Sequence, residues 1–166
     1  MKKIFGFSGA SNSGKTTLIC DIIHFLKGSI RVAVIKHDPK NKAEIDTKNK
    51  DSSLFYDAGA DVSILSPTQT MIRFHQSLNI QQIANSFDAD WILVEGLKEL
   101  KIPRLSVMRH QLDSSYFSVS QGLVCFQEIL GSYSKEDFCG LQILKREDLQ
   151  GIVDFIHTHA MLIKED

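Results

Sequence analysis

The amino-acid sequence predicts a three-layer α/β fold with a mostly parallel sheet, and three observations carry that prediction. An apolar run ends in a glycine-rich motif, an amphipathic helix follows at once, and a second β-branched run follows the helix. Strand, helix and strand in that order make a βαβ unit, whose two strands lie parallel.

Each element has its own signal. Residues 3–8 are apolar and stop at Gly9, as a buried strand does when it meets a tight loop. Over residues 15–27, Leu18, Ile19, Ile22, Ile23 and Leu26 recur at spacings of three and four, and Gly28 supplies the stop. Residues 32–35 are the second buried strand. Residues 38–51 are polar and lysine-rich with Pro39 near the start, which predicts a long, mobile loop of a length that usually serves a function. Asp51 can cap a short helix over residues 52–58, where Gly59 suits the left-handed position after the last turn. Residues 62–65 and 70–74 read as strands separated by Pro67, with their pairing open. Asn79 and Gln82 form a capping-box-like start for a helix to about residue 87. Residues 91–94 are a buried strand ending at Glu95-Gly96, and residues 105–108, 123–126 and 141–144 are further strands. Leu149, Ile152, Val153 and Ile156 give a last helix its apolar stripe.

Composition bounds the function. The chain has 166 residues, 43% hydrophobic and 23% charged, enough for one domain with a continuous core, and no run is long enough to cross a bilayer. A formal charge of -1 argues against the broad basic face that non-specific nucleic-acid binding needs, so nucleic acid is not an expected partner. Cys20, Cys125 and Cys139 are far apart and odd in number, and are read as reduced thiols. The start Met1-Lys2-Lys3 is basic, but residues 4–7 are too short for a signal-peptide core, which predicts a cytoplasmic protein.

Gly9-Ala10-Ser11-Asn12-Ser13-Gly14-Lys15-Thr16 matches G-x-x-x-x-G-K-[ST] and lies between predicted strand and predicted helix. Its glycines let successive N–H groups converge on phosphate oxygens, and the helix N-terminus adds partial positive charge. Lys15 can then reach the β- and γ-phosphates, the Thr16 hydroxyl can ligate Mg²⁺, and Thr17 can support the α-phosphate side. With no second-domain boundary in sight, residues 1–166 read as a single P-loop nucleotide-binding domain of the P-loop NTPase-like class.

Such folds use a carboxylate at the end of a neighbouring buried strand to hold the Mg²⁺ shell or orient the attacking water. Glu95, after Trp91-Ile92-Leu93-Val94 and before Gly96, fits that place. Lys36, Lys98, Arg104 and Arg109 follow or flank predicted strands and could gather at the carboxyl edge of the sheet, where open α/β folds bind ligands. His157 and His159 are two apart on a helix and point in different directions, and no cysteine–histidine spacing suggests zinc. Ser134-Lys135-Glu136-Asp137 imitates the guanine-reading asparagine-lysine-x-aspartate motif, at the wrong distance from its strand.

Further stretches carry a family likeness: Lys36-His37-Asp38, Asp46 with Lys50-Asp51-Ser52 and Ala58-Gly59-Ala60, and Glu95-Gly96-Leu97-Lys98 with Pro103 and Arg109. Together with the phosphate motif, the sequence resembles the molybdopterin-guanine dinucleotide biosynthesis protein B (MobB) family over most of residues 3–109. The resemblance implies a GTP-binding accessory protein with slow Mg²⁺-dependent GTPase activity, a homodimer, working beside the guanylyltransferase that joins GMP to molybdopterin. It also implies that Asp46 and Asp51 lie near the metal or phosphates. Lys36, His37, Asp51, Lys98 and Arg109 would form a partner or pterin surface, where molybdopterin or its precursor could bind. The sequence departs from the family where Asp38 and Pro39 replace a second histidine, and where Asn49 replaces glycine. Two other readings stay open: a P-loop kinase of a small metabolite, and a nucleotide-gated adaptor without useful catalysis.

Overall fold

The computed structural model describes residues 1–43 and 50–163. In chain order the elements are β1 (Lys3–Ser8), α1 (Lys15–Phe25), β2 (Val32–Lys36), α2 (Asp51–Asp57), β3 (Val62–Leu65), β4 (Thr70–Arg73), α3 (Ile80–Asn85), β5 (Trp91–Glu95), β6 (Arg104–Met108), β7 (Gly122–Cys125), α4 (Gln127–Leu130), β8 (Gln142–Lys145), α5 (Leu149–His159) and β9 (Met161–Leu162). They group into two compact units, Met1–His37 with Ala84–Asp166, and Asp38–Ile83.

The first unit holds the sheet, in the order β2-β5-β1-β6-β7-β8, with β9 antiparallel to β1 and every other pairing parallel. A parallel sheet covered on both faces favours strands that are apolar on both sides, which is why β1, β5 and β7 read as nearly continuous runs rather than alternations, while β6 buries Arg104 and Ser106 among its apolar residues. Alternation still sorts their side chains. Phe5 and Phe7 of β1, Leu93 of β5 and Leu105 and Val107 of β6 meet Leu18 and Ile22 of α1 and Ile152 and Ile156 of α5 in one cluster. On the other face, Met108, Leu123 and Cys125 pack with Ile129 and Phe138. The last helix starts as its sequence demands: the Asp148 side chain accepts from the Gly151 N–H at 2.9 Å.

In the second unit, β3 and β4 form the antiparallel hairpin whose pairing the sequence left open, with Leu65 opposite Thr70 and Val62 opposite Arg73. Ser66 closes its loop, donating its N–H to the Gln69 carbonyl and accepting from the Gln69 N–H. The Tyr56 ring of α2 stacks on His75 at 3.8 Å, and the Arg73 guanidinium lies 3.4 Å over the same ring. Of the expected loop over residues 38–51, only 38–43 and 50–51 are among the described residues, and Asp46 lies outside them. Its start is shaped by Asp38, whose carboxylate accepts from the N–H groups of Lys40, Lys42 and Ala43. Among the described residues no helix is long and apolar enough to cross a membrane.

Candidate functional site

Sheet order decides where the site is. The chain leaves β1 upward into the loop 9–14, and β5 ends beside it, so the carboxyl ends of the central strands meet the start of α1. Gly9 has φ 135, and a Cβ there would stand 2.6 Å from the Val107 carbonyl oxygen. Gly14 caps α1 in the left-handed region at φ 90, and its bare Cα lies against the Phe126 ring. The backbone ladder of α1 begins with the Leu18 N–H on the Gly14 carbonyl. The amides of Lys15, Thr16 and Thr17 therefore emerge from the N-terminus of an 11-residue helix, the arrangement that receives anions.

Lys15 folds over this loop. Its Nζ donates to the Gly9 and Ala10 carbonyls at 3.0 and 2.7 Å and to the Ser13 hydroxyl at 3.4 Å. Burial lowers its pKa from the ordinary lysine value, Glu95 opposes that shift, and Lys36 adds to it. An ammonium that is partly desolvated and held by two carbonyls and a hydroxyl, all neutral, is poised for a stronger anionic partner.

The Thr16 hydroxyl donates to Oε1 of Glu95 at 2.9 Å, while Lys36 Nζ stands 3.8 Å from Oε2. Glu95 is thus held between the helix start and β2, and the sequence-predicted residues Lys15, Thr16, Lys36 and Glu95 converge at one spot. Two oxygens about 3.0 Å apart match neighbouring ligands of an octahedral Mg²⁺ whose bonds are about 2.1 Å. A hydroxyl and a carboxylate are also hard oxygen donors of the kind Mg²⁺ prefers. Among the described residues no group of three His, Cys, Asp or Glu side chains makes an all-protein metal cage. The pair fits a Mg²⁺ that would take further ligands from phosphate and water.

Other expected residues sort themselves around this centre. The His37 N–H donates to the Glu95 carbonyl at 3.0 Å, so His37 follows β2 at the rim, exposed. Arg109, after β6, stacks its guanidinium 5.2 Å from the Phe126 ring centre and borders a small cavity with Ala10, Ser11 and Ser13. Lys98 lies near enough to Asp113 to act on it: the Asp113 pKa is lowered chiefly by its hydrogen bonds from Ser115, with the Lys98 charge a smaller cause. Asp51 opens α2 in the second unit.

One sequence expectation needs correcting, and one is met. Arg104 is not a surface charge: it is 1% exposed, inside the sheet. The one signal for this was its position after Pro103 at the head of the apolar run Leu105-Ser106-Val107. Ser134-Lys135-Glu136-Asp137 closes on itself, Asp137 accepting from the Ser134 N–H at 2.8 Å and its hydroxyl at 3.0 Å. That carboxylate is spent on its own turn.

Comparison with known proteins shows the family. The family model for molybdopterin guanine dinucleotide synthesis protein B matches residues 4–127. A molybdopterin-guanine dinucleotide biosynthesis adapter protein of Haemophilus influenzae is 34% identical over 116 residues, covering 66% of this chain and 65% of that protein. A Methanocaldococcus jannaschii protein of the same description is 31% identical over 114 residues, covering 64% of this chain. The match spans about half of that relative's length, 47%. Among solved structures, a molybdopterin-guanine biosynthesis protein B aligns with TM-score 0.66 at 26% identity, over 93% of this chain and 97% of the other. Bacillus subtilis MobB aligns with TM-score 0.74 at 18% identity, over 96% and 98%, a likeness of fold.

Proposed function

We propose, from the premise that this chain belongs to the molybdopterin guanine dinucleotide synthesis protein B (MobB) family, that it binds GTP with Mg²⁺ and assists a cytoplasmic guanylyltransferase joining GMP to molybdopterin. The observation that carries the reading is the Thr16–Glu95 pair at 2.9 Å beside a complete phosphate motif. Gly9, Ser11, Asn12, Ser13 and Gly14 shape the cradle for the phosphates, Lys15 brings its ammonium to them, and Thr17 supports the α-phosphate side. Thr16 and Glu95 would hold Mg²⁺, which when bound neutralises charge on the phosphates, and Glu95 orients water. Asp46 is an additional proposed metal neighbour.

Hydrolysis by such a site is slow in this reading, because each arginine is already engaged by side chains or carbonyls of this chain. Arg31 pairs with Asp88 and Asp90, Arg146 with Asp21, and Arg73 covers Tyr56. Arg104 is buried and Arg109 lies over Phe126. An arginine finger or an arginine-bearing lid would have to come from elsewhere, which also weighs against a metabolite kinase. The adaptor reading is favoured by the names of the relatives: a nucleotide-loaded form presents Lys36, His37, Asp51, Lys98 and Arg109 to the guanylyltransferase or to molybdopterin. The same premise supports a homodimer, and the exposed Phe55, Leu65 and Ile72 of the second unit offer apolar area to a second copy.

The test is a calorimetric titration of the purified chain with GTP and ATP, with and without Mg²⁺, followed by a guanylyl-transfer assay with the partner enzyme. Expected are binding of GTP in preference to ATP, tightening by Mg²⁺, loss of about 100-fold or more in affinity in Lys15→Ala, and stimulation of the transferase. Absence of any purine triphosphate binding at millimolar ligand sinks the reading.

A further inference from the structure

The connection from β5 to β6 is unusual. The two strands flank β1, yet only residues 96–103 join them, without a helix. Parallel crossovers ordinarily take a dozen residues or more. Here the chain passes flat over one face of β1, and β1 makes room by carrying Gly6: a Cβ there would stand 3.3 Å from Ile102 Cδ1 and 3.1 Å from Arg104 Cβ.

Within this short irregular crossover the Leu97 carbonyl accepts the Leu100 N–H at 3.0 Å and the Leu100 carbonyl accepts the Ile102 N–H at 2.9 Å. Arg104 gives each of them a second donor and links both to β1. Its Nη1 donates to the Leu97 carbonyl and to the Ser8 hydroxyl, both at 3.0 Å, and Nη2 donates to the Leu100 carbonyl. Ser8 is itself 2% exposed, and among the described residues no carboxylate lies within ion-pair distance of the guanidinium. Desolvation lowers its pKa and Glu99 offsets part of that shift. Leu97 is held at φ 50, which costs a leucine about 1–2 kcal/mol and persists where the surroundings over-determine it.

The two things this guanidinium joins are the last residue of β1 before the cradle and the turn directly after Glu95. We propose that Arg104 is a positioning residue: by tying Ser8 to the Gly96-Leu97 turn, it holds the Glu95 carboxylate in register with the Thr16 hydroxyl. The inference rests on the reading of Glu95 and Thr16 as the Mg²⁺ limb of the site. A planar fork reaching three acceptors is needed, which a lysine cannot reproduce.

The experiment measures GTP affinity with Mg²⁺ and with EDTA for wild type, Arg104→Lys, Arg104→Met and Ser8→Ala, each also on a Glu95→Gln background, with thermal unfolding of every variant. Expected for Arg104→Lys is a loss of most of the Mg²⁺-dependent tightening, about tenfold, with the EDTA affinity retained. On the Glu95→Gln background the same substitution has no further effect, because the carboxylate it positions is gone. Ser8→Ala removes one acceptor and no bulk, and a smaller loss of about threefold in the same Mg²⁺-dependent part carries the test if the Arg104 variants fail to fold. Equal losses with and without Mg²⁺, full retention of the tightening, or undiminished effects on the Glu95→Gln background overturn the proposal. A wild type whose GTP binding ignores Mg²⁺ overturns instead the reading on which it rests.

Discussion

Strand β5 and the β3–β4 hairpin are built from similar residues and bury them differently. Trp91, Ile92, Leu93 and Val94 are all at most 4% exposed, whereas Ile64, Leu65 and Ile72 are 39%, 80% and 56% exposed. The reason is neighbours, not composition. β5 lies between β2 and β1 and takes cover from α1, while the hairpin pairs within itself, and two strands alone are marginal in water. Apolar β-branched runs thus tell where strands are, and their place in a sheet tells whether the side chains are withdrawn from water.

The contrast can be broken most forcefully in the sheet. Leu93→Ala removes a side chain with no solvent exposure from the centre of the main cluster, and is expected to cost about 2–5 kcal/mol, read as a lowered urea midpoint with unchanged slope. A cost under about 1 kcal/mol would mean that β5 is not the closed centre described above.

A second, smaller effect separates buried from exposed thiols. Burial pushes the Cys125 thiol from 9.0 up to about 12, whereas Cys20 and Cys139 are exposed. Above the unfolded pKa the unfolded chain releases this proton and the folded chain keeps it, so folding retains a proton and stability falls as pH rises between 9.0 and about 12. The expected slope from this group is about 1.4 kcal/mol per pH unit. It should disappear in Cys125→Ala, measured as the difference in urea unfolding between pH 8 and pH 10.5. Parallel slopes for the two proteins would show that Cys125 does not ionise on unfolding in that window.

What could be read in advance follows the same division. The cradle was legible because its chemistry is local: glycines, lysine and threonine at fixed offsets can do little else between a strand and a helix. Glu95 was legible because a carboxylate closing four apolar residues must face something other than core. Arg104 was not, since a guanidinium satisfied by carbonyls from residues 97 and 100 leaves no charge pattern in the sequence. The pairing of β3 with β4 was hidden because both arms are short and Pro67 falls between them, which suits a hairpin loop and a chain break equally. The two-residue β9 and the four-residue α4 are too short to display a period at all.

The smallest stability effect is the most informative about the hairpin. Leu65→Ser changes a side chain that is 80% exposed, so the stability of the isolated chain should shift by no more than about 0.5 kcal/mol. If the hairpin's apolar residues meet a second copy, the same change should weaken self-association, since a leucine transferred from water into an interface contributes about 1.5–3 kcal/mol per copy. Sedimentation of wild type and Leu65→Ser over a range of concentrations separates these quantities. An unchanged dimerisation constant would place the contact between copies elsewhere, and a monomeric wild type would remove the dimer from the account. A loss of fold stability of several kcal/mol would show that Leu65 is covered by this chain itself, erasing the difference between hairpin and sheet.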